Sequence, residues 1–332
     1  MCWGWGLALS LLLSGSGALA AAPSYGAELE GFQYPYPVKT FALQSQQQSL
    51  HMAYLDVPPG GAPNGRTAVL LHGKNFCAAS WVGTIDALRA VGFRVIAPDQ
   101  IGFCKSSKPK SYQFTFQQLA QDTQRLLESL GVSRFVLIGH SMGGMLAMRY
   151  ALLYPGAIEK LVLVNPIGLE DWKSKGVPYQ SVDAWYQSEL QTTAERIRSY
   201  QKATYYAGTW KPEYDAWVEM LAGMYRGSGK PLVAWSSALT YDMIYTQPVI
   251  YELEKIDVPT LLFIGKQDNT AIGKALAPEA VRKNLGVYAK LAPEAAARLP
   301  QAKLVMFDDL GHAPQIQDPA RFHRALLEGL AR

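Results

Sequence analysis

The chain has 332 residues, of which 49% are hydrophobic and 17% charged, and its formal net charge is +4. This length and composition are those of a globular protein with a large core, as one α/β domain with an insertion or as two domains. No basic run stands out, so the sequence gives no support for nucleic-acid binding.

The amino-terminal residues differ from the rest of the chain. Residues 1–27 carry no charged side chain, residues 7–13 form an apolar run, and Ala18-Leu19-Ala20 follows a break of serine and glycine. This pattern predicts a signal peptide over residues 1–20, and hence an exported protein, periplasmic or secreted. The alternative is an uncleaved membrane anchor, because residues 3–22 are nearly long enough to span a bilayer.

Apolar runs separated by turn residues then predict strands that alternate with helices. The predicted strands are Val38–Leu43, Leu50–Val57, Thr67–Leu71, Phe93–Ala97, Phe135–Ile138, Leu161–Val164, Thr260–Ile264 and Leu304–Phe307. The predicted helices are Trp81–Val91, Phe116–Leu130, Gly144–Tyr154 and Pro319–Leu330. This alternation favours an α/β fold with a parallel sheet and helices on both faces.

The alternation stops over residues 166–257. This stretch has helical patterning and holds five of the eight tryptophans and ten of the eighteen tyrosines. It predicts a helical cap, or lid, inserted into a catalytic domain made of residues 38–165 and 258–332. Most of these aromatic residues are expected to pack the cap onto the core, and a few to line a ligand pocket.

A candidate nucleophile lies between the strand Phe135–Ile138 and the helix that follows it. Residues 139–143 read Gly-His-Ser-Met-Gly, with glycine two residues before and two residues after Ser141. A Gly-x-Ser-x-Gly motif between strand and helix is typical of a nucleophile elbow, a sharp turn with an exposed serine at its apex. The alternative is a glycine-rich turn with an incidental serine.

A nucleophilic serine needs a base, and the base needs a carboxylate to orient it. Of the five histidines, His312 follows the last predicted strand, at the edge where an open parallel sheet gathers its site, and is the predicted base. Asp268 follows the strand Thr260–Ile264 and is the predicted acid. Glu170 and Asp171 remain as alternative acids, and a purely turn-forming role remains open for Asp268.

An oxyanion intermediate of acyl transfer needs two backbone N–H donors. Met142, the residue after Ser141, is one candidate, and Lys74 in the loop after Thr67–Leu71 is the other, with Asn75 as second choice. The Lys74 side chain could attract an acidic group of a substrate, but we expect a solvated lysine.

Taken together, these motifs resemble the α/β-hydrolase superfamily, in its capped branch of esterase- and lipase-like enzymes. The resemblance covers about residues 38–332 without the cap, and rests on His72-Gly73, the stretch Asp99 to Phe103 with Ser106, the elbow, Asp268 and Gly311-His312. It implies a mostly parallel, doubly wound sheet of about eight strands with an inserted helical cap. Two positions depart from the family pattern: Cys104 replaces a glycine, and Gln317 stands where an acidic residue is common.

The resemblance also implies that the strands before His72 and Asp99 are neighbours in the sheet. Cys77 and Cys104 would then lie in adjacent loops at one edge. For an exported protein we therefore predict a Cys77–Cys104 disulfide that holds the oxyanion loop, with two buried free thiols as the alternative.

The predicted function is that of an exported serine hydrolase that cleaves carboxylic esters of small to medium apolar substrates through an acyl-enzyme, with no metal and no cofactor. Membrane contact is expected only through an uncleaved leader or a lipid substrate. The alternatives are a carbon–carbon bond hydrolase, a non-catalytic ligand-binding protein, or a proline-type aminopeptidase. The aminopeptidase would need a cap carboxylate to hold the substrate ammonium, and the candidates are Glu189, Glu195, Glu213, Asp215 and Glu219.

Overall fold

The structure is a computed structural model that describes residues 1–2 and 22–331. The predicted signal peptide falls almost entirely on residues outside these ranges. Within the described ranges, no helix combines the length and the apolar character needed to cross a bilayer.

One eight-stranded sheet organises the chain, as the sequence predicts. Its strands are β1 (Val38–Ser45), β2 (Gln48–Val57), β3 (Thr67–Leu71), β4 (Arg94–Pro98), β5 (Phe135–His140), β6 (Ile158–Val164), β7 (Thr260–Gly265) and β8 (Ala302–Phe307). The spatial order is β1-β2-β4-β3-β5-β6-β7-β8. β2 is antiparallel to both of its neighbours, β1 and β4, and all pairs along the order β4-β3-β5-β6-β7-β8 are parallel. The expected adjacency of β3 and β4 is confirmed.

The helices of the described residues follow from capping and amphipathic patterns. They are α1 (Val82–Ala90), α2 (Phe116–Ser129), α3 (Met142–Leu153), α4 (Val182–Glu189), α5 (Ala194–Thr204), α6 (Asp215–Arg226), α7 (Lys230–Thr246), α8 (Glu279–Arg282), α9 (Tyr288–Arg298), α10 (Pro314–Gln317) and α11 (Pro319–Leu330). At the start of α2 the Thr115 hydroxyl accepts from the Gln118 amide, and at the start of α11 the Asp318 carboxylate accepts from the Arg321 amide. These side chains satisfy first-turn N–H groups that have no partner within the helix.

The core lies on both faces of the sheet. In β3, Val69 and Leu71 pack into one apolar cluster, whereas Ala68 and Leu70 pack into the other. Successive side chains of a strand point to opposite faces, so a run with no polar position is the pattern of a strand that is covered on both sides. This arrangement leaves the carboxyl ends of the parallel strands as the place for polar chemistry.

The residues between β6 and β7, 165–259, are here called the inserted segment. They form α4 to α7 and short 3₁₀ turns, among them Pro212–Tyr214 and Ile250–Lys255. The carboxyl end of α5 contacts the loop after β8, where the backbone carbonyl of Thr204 accepts from the amide of His312. Gly311 permits this approach, because a Cβ at this position would lie 2.6 Å from the carbonyl oxygen of Tyr205. The inserted segment therefore touches the predicted base.

Candidate active site

Ser141 lies at the apex of a tight turn between β5 and α3. Its backbone has φ 57° and ψ −120°, a strained conformation for a residue with a Cβ. Both motif glycines are sterically required. A Cβ at Gly139 would lie 2.2 Å from the Gly143 carbonyl oxygen, and one at Gly143 would lie 2.2 Å from that of Leu71. The sequence motif thus corresponds to a turn in which only glycine fits on either side of the serine.

The predicted base and acid meet at the ends of two adjacent strands. Asp268 follows β7, His312 follows β8, and Asp268 Oδ2 accepts a hydrogen bond of 2.6 Å from His312 Nδ1. Both side chains are fully buried. Since Nδ1 carries the hydrogen, the other ring nitrogen, Nε2, bears the free lone pair. The amide of Thr270 also donates to Asp268 Oδ1 at 2.8 Å, which fixes the carboxylate.

His312 Nε2 is buried and has no hydrogen-bond partner among the described residues. Ser141 Oγ therefore makes no hydrogen bond to His312 Nε2. The two segments are nevertheless close, because the ring of His140, the neighbour of Ser141, lies 4.9 Å from the ring of His312. Nucleophile–base hydrogen bonds are often long in unliganded proteins and tighten when substrate binds. The unpartnered nitrogen is thus available as a proton acceptor.

Two other histidines hold the backbone around this pair. His140 Nε2 donates to the carbonyl oxygen of His312 at 2.8 Å, and burial lowers the pKa of His140 well below its ordinary value. His72 Nε2 accepts from the amide of Gln100 at 3.1 Å, while its Nδ1 donates to the Gly73 carbonyl. Both imidazoles are engaged by backbone groups, so neither competes with His312 for the role of base.

The loop after β3 lies directly beside Ser141. A Cβ on Gly73 would come within 3.0 Å of the Ser141 Cβ. Lys74 and Asn75 follow and, with Ser141, line one cavity. Met142 is the first residue of α3, and the first amides of a helix have no intrahelical acceptor. The predicted donors Lys74 and Met142 thus belong to the two segments that adjoin Ser141.

The predicted disulfide between Cys77 and Cys104 is present, with 5.9 Å between the two Cα atoms. It joins the loop after β3 to the loop after β4, and the Asp99 carboxylate adds a second link by accepting from the Ala78 amide at 2.8 Å. Cys104 has φ 44°, which explains why glycine is common at this position in the family pattern. The two sulfurs and Asp99 form a compact group of potential metal ligands, but disulfide sulfurs are not thiolates and do not bind metal as such.

Gln317, which stands where the family pattern commonly has an acidic residue, has a structural role. Its Oε1 accepts from the Gly311 amide at 2.7 Å, and its Nε2 donates to the Tyr206 carbonyl at 3.2 Å. A neutral amide can do both, whereas a carboxylate could only accept. Gln317 therefore connects the loop that carries His312 to the inserted segment.

The alternative acids are occupied elsewhere. Glu170 accepts from the Gly286 amide and the Lys175 ammonium, and Asp171 accepts from the hydroxyl of Tyr251. Neither makes a hydrogen bond to His312 in the described chain. The geometry thus favours Asp268 as the partner of the histidine.

The sequence analysis missed Asn165. This residue directly follows β6, has φ 39° and is fully buried. Its Nδ2 donates to Asp268 Oδ2 at 2.9 Å, and its Oδ1 accepts from the Gly265 amide at 2.9 Å. Asparagine tolerates a positive φ better than most residues. The one sequence signal for a role in the site was its position at the carboxyl end of a predicted parallel strand. Asn165 is a positioning residue for the carboxylate.

We expect Asn165→Ala to lower kcat about tenfold or more, because one hydrogen bond to a charged carboxylate is lost. Asn165→Asp should instead shift the acidic limb of the pH–rate profile to higher pH, since a second negative charge beside Asp268 stabilises protonated His312. Steady-state kinetics over pH measure both effects. Unchanged kcat and an unchanged profile in both variants would reduce Asn165 to a purely structural residue.

A cavity of about 600 Å³ lies against Ser141, bounded by the inserted segment and by the loop after β7. This volume suits a small to medium ligand. Its aromatic lining consists of Trp185, Tyr200, Tyr205, Tyr225 and Tyr241, so some of the aromatic residues do line a pocket, as predicted.

The expectation of a solvated Lys74 was wrong, because its side chain borders this cavity and its Nζ donates to Ser237 Oγ at 2.5 Å.

Comparisons with known proteins agree with this architecture. A family model described as the alpha/beta hydrolase fold matches residues 68–319. Lipase 3 of a Moraxella species is 26% identical over 277 residues, which are 81% of this chain and 79% of the lipase.

Two solved structures are similar over most of the chain. A probable hydrolytic enzyme from Pseudomonas aeruginosa PAO1 is 66% identical, with a TM-score of 0.92, and the match covers 93% of this chain and 99% of that one. An esterase from Exiguobacterium antarcticum is 20% identical with a TM-score of 0.68, over 89% of this chain and 100% of that one, and this likeness concerns the fold alone.

Proposed function

The chain belongs to the α/β-hydrolase family, and from that premise we propose that it is an exported serine hydrolase that cleaves carboxylic esters through an acyl-enzyme. One observation carries the proposal. The strained Ser141 lines the cavity, and behind Tyr205 of the cavity wall, with 4.9 Å between ring centroids, lies His312, which is held by Asp268 and whose buried Nε2 has no partner among the described residues. A serine, a base and an orienting carboxylate at one edge of a sheet are the components of nucleophilic acyl transfer.

The acylation step follows from this geometry. His312 Nε2 takes the hydroxyl proton of Ser141 as Oγ bonds to the ester carbonyl carbon, and the carbonyl π electrons move to its oxygen. The amides of Met142 and Lys74 donate to this oxyanion. The tetrahedral intermediate then collapses, the bond from carbon to the alcohol oxygen breaks, and the departing alkoxide takes the proton from His312.

Deacylation repeats these steps with water. His312 Nε2 removes a proton from a water molecule, whose oxygen attacks the acyl carbon. Collapse of the second intermediate breaks the bond to Ser141 Oγ, which recovers its proton from His312, and the carboxylic acid leaves. Asp268 remains ionised and stabilises the imidazolium in both steps. The residues named need no metal or organic cofactor for acylation and deacylation.

We also propose that the inserted segment acts as a cap. It supplies α4 to α7, whose residues form much of the cavity wall, and it contacts the loop of His312 through Thr204 and Gln317. Covering Ser141 in this way limits the access of water and the size of the substrate that can bind.

Export is proposed on two independent grounds. An apolar run followed by an Ala-x-Ala site is typical of signal peptides, although the lysine or arginine usual near their start is missing here, and the Cys77–Cys104 disulfide is typical of oxidising compartments.

An aminopeptidase remains the second candidate because of one residue. Of the five carboxylates that could hold a substrate ammonium, Glu189 alone lines the cavity among the described residues. Its carboxylate accepts a hydrogen bond from the Tyr225 hydroxyl, so it is already engaged. We therefore rank this candidate below ester hydrolysis.

A 4-nitrophenyl ester series from acetyl to palmitoyl, with the protein lacking its leader, tests the proposal. We expect the highest kcat/KM for short to medium chains, because an extended palmitoyl chain is longer than a compact cavity of about 600 Å³ is wide. Hydrolysis of none of these esters, together with release of 4-nitroaniline from amino-acid anilides, would contradict the esterase proposal in favour of the aminopeptidase.

A further inference from the structure

The Lys74 ammonium group occupies an unusual position for a lysine. It lies 3.6 Å from the centroid of the Tyr241 ring and donates to the Ser237 hydroxyl, at the wall of the cavity that Ser141 faces. Burial lowers the pKa of Lys74 to about 8. A hydroxyl and an aromatic face stabilise an ammonium only in part, so this cation has capacity for an anionic partner.

The remaining charged residues of the cavity wall are mostly basic as well. The basic side chains of the lining are Lys74, Arg196, Lys274 and Arg282, and the single carboxylate is that of Glu189. Within the described part of the chain, none of the four cations is in an ion pair with a carboxylate. The cavity therefore carries an excess of positive charge.

The hydrogen bonds of these cations go to neutral acceptors. Burial lowers the pKa of Lys274, and two further carboxylates of the described chain, those of Glu170 and Asp268, oppose this effect. Arg196 donates to the carbonyl and hydroxyl of Ser188, Lys274 to the carbonyls of Asn269 and Leu285, and Arg282 to the carbonyls of Ala275 and Ala277. Neutral acceptors satisfy N–H groups but do not remove a net charge. Lys74 and Lys274 are half-buried, so their charges attract anions more strongly than they would in bulk water, whereas Arg196 and Arg282 are exposed.

Glu189 does not reverse this balance. Its carboxylate accepts from the Tyr225 hydroxyl and is close enough to raise the pKa of Lys74, opposing the effect of burial. It helps to keep Lys74 protonated at neutral pH. Together with Glu170 and Asp268, whose carboxylates act on Lys274 from outside the lining, three carboxylates stand against four cations, so the wall keeps a small positive excess.

Gln201 gives an independent indication of a polar ligand. This residue of α5 lines the cavity and is fully buried, and neither its Nε2 nor its Oε1 has a partner among the described residues. A buried amide without a partner is unfavourable, so its presence beside a cavity calls for an explanation such as a ligand that pairs with it. Its NH₂ would become a further donor for a ligand oxygen if the side chain turned toward the cavity.

We propose that the cavity selects esters that carry a carboxylate group, which Lys74 and Arg196 bind. This inference rests on the proposed ester hydrolysis and adds the substrate class. The apolar substrate expected from the aromatic composition is thereby replaced by an amphipathic one, with aromatic side chains against its carbon chain and cations at its charged end.

Two isosteric substrate pairs test the proposal on the protein lacking its leader. The first compares the mono-4-nitrophenyl ester of adipic acid with 4-nitrophenyl 6-methylheptanoate, which places the charge on the acyl side. The second compares the butyrate ester of 3-hydroxypropanoate with 3-methylbutyl butyrate, which places it on the alcohol side. We expect the anionic member of at least one pair to have a kcat/KM about tenfold higher, as expected for one charge-assisted hydrogen bond.

The variants Lys74→Met and Arg196→Met identify the cations responsible. The measured quantity is the ratio of anionic to neutral kcat/KM within each variant, which cancels any effect of Lys74→Met on the backbone oxyanion donor. We expect at least one of the two variants to lose the preference, and we expect the exposed control variant Lys173→Met to keep it.

The possible failures are distinguishable. Hydrolysis of neither member of either pair would contradict the proposed function itself. Hydrolysis of the neutral esters with a ratio near one or below in both pairs would overturn the anion proposal alone. A preference that survives in both Lys74→Met and Arg196→Met would overturn it too, because the charge would then be bound elsewhere.

Discussion

Ser141→Ala is expected to lower kcat for ester hydrolysis about a million-fold, the loss that follows removal of the nucleophilic serine from a triad. The variant keeps a Cβ at a backbone φ of 57°, so the strain of the turn is unchanged and the protein should melt at the wild-type temperature. Initial rates with the best ester of the chain-length series measure the effect.

Ser129→Ala is the matched control for this experiment. Ser129 ends α2, donates to the Leu126 carbonyl, and does not line the cavity in the described structure. Its activity should equal that of the wild type. A Ser141→Ala protein that is folded and retains wild-type activity would show that another group performs the reaction.

Asp268→Asn should have the second largest effect, a loss of about 10⁴-fold in kcat, as seen when the triad carboxylate of a serine protease is replaced by an amide. The carboxylate accepts from three donors, on His312, Asn165 and Thr270. An amide offers one oxygen in place of two. If its NH₂ replaces Oδ2, it faces the NH₂ of Asn165 and forces the proton of His312 from Nδ1 to Nε2, where the base must be free.

Asp171→Asn is the control for the acid, since Asp171 was a sequence-based alternative and its carboxylate accepts from Tyr251 instead. We expect this variant to retain wild-type kcat. Kinetics of both variants at the same pH, with melting temperatures measured alongside, separate the two assignments. A large loss in Asp171→Asn with little loss in Asp268→Asn would reverse them.

The sequence predicted the fold well because its strands are apolar and are separated by recognisable turns. All eight strands fall within a few residues of their predicted positions, and β5 is buried at every residue. Helix α9 was not predicted, because Pro293 inside it reads as a helix breaker. Its buried residues, Tyr288, Leu291, Ala292 and Ala295, have helical spacing, and their packing against β7 and β8 outweighs the local effect of the proline.

The meeting of Asp268 and His312 could be predicted from chain order, since both follow strands of one parallel sheet. Asn165 could not, because its role depends on a positive φ and on a side chain that reaches across two strand ends. The direction of the Lys74 side chain was also mispredicted. A lysine in a loop is usually solvated. Lys74 lines the cavity because the helices of the inserted segment cover the loop that carries it.

The most direct test of the central claim, a covalent acyl-enzyme on Ser141, is mass spectrometry of the protein quenched with acid during turnover of a slowly deacylated ester. The account predicts a mass increase equal to the acyl group, located after digestion on the peptide that contains Ser141. Product release from a chain that carries no acyl group, or an acyl group confined to another residue, would contradict it.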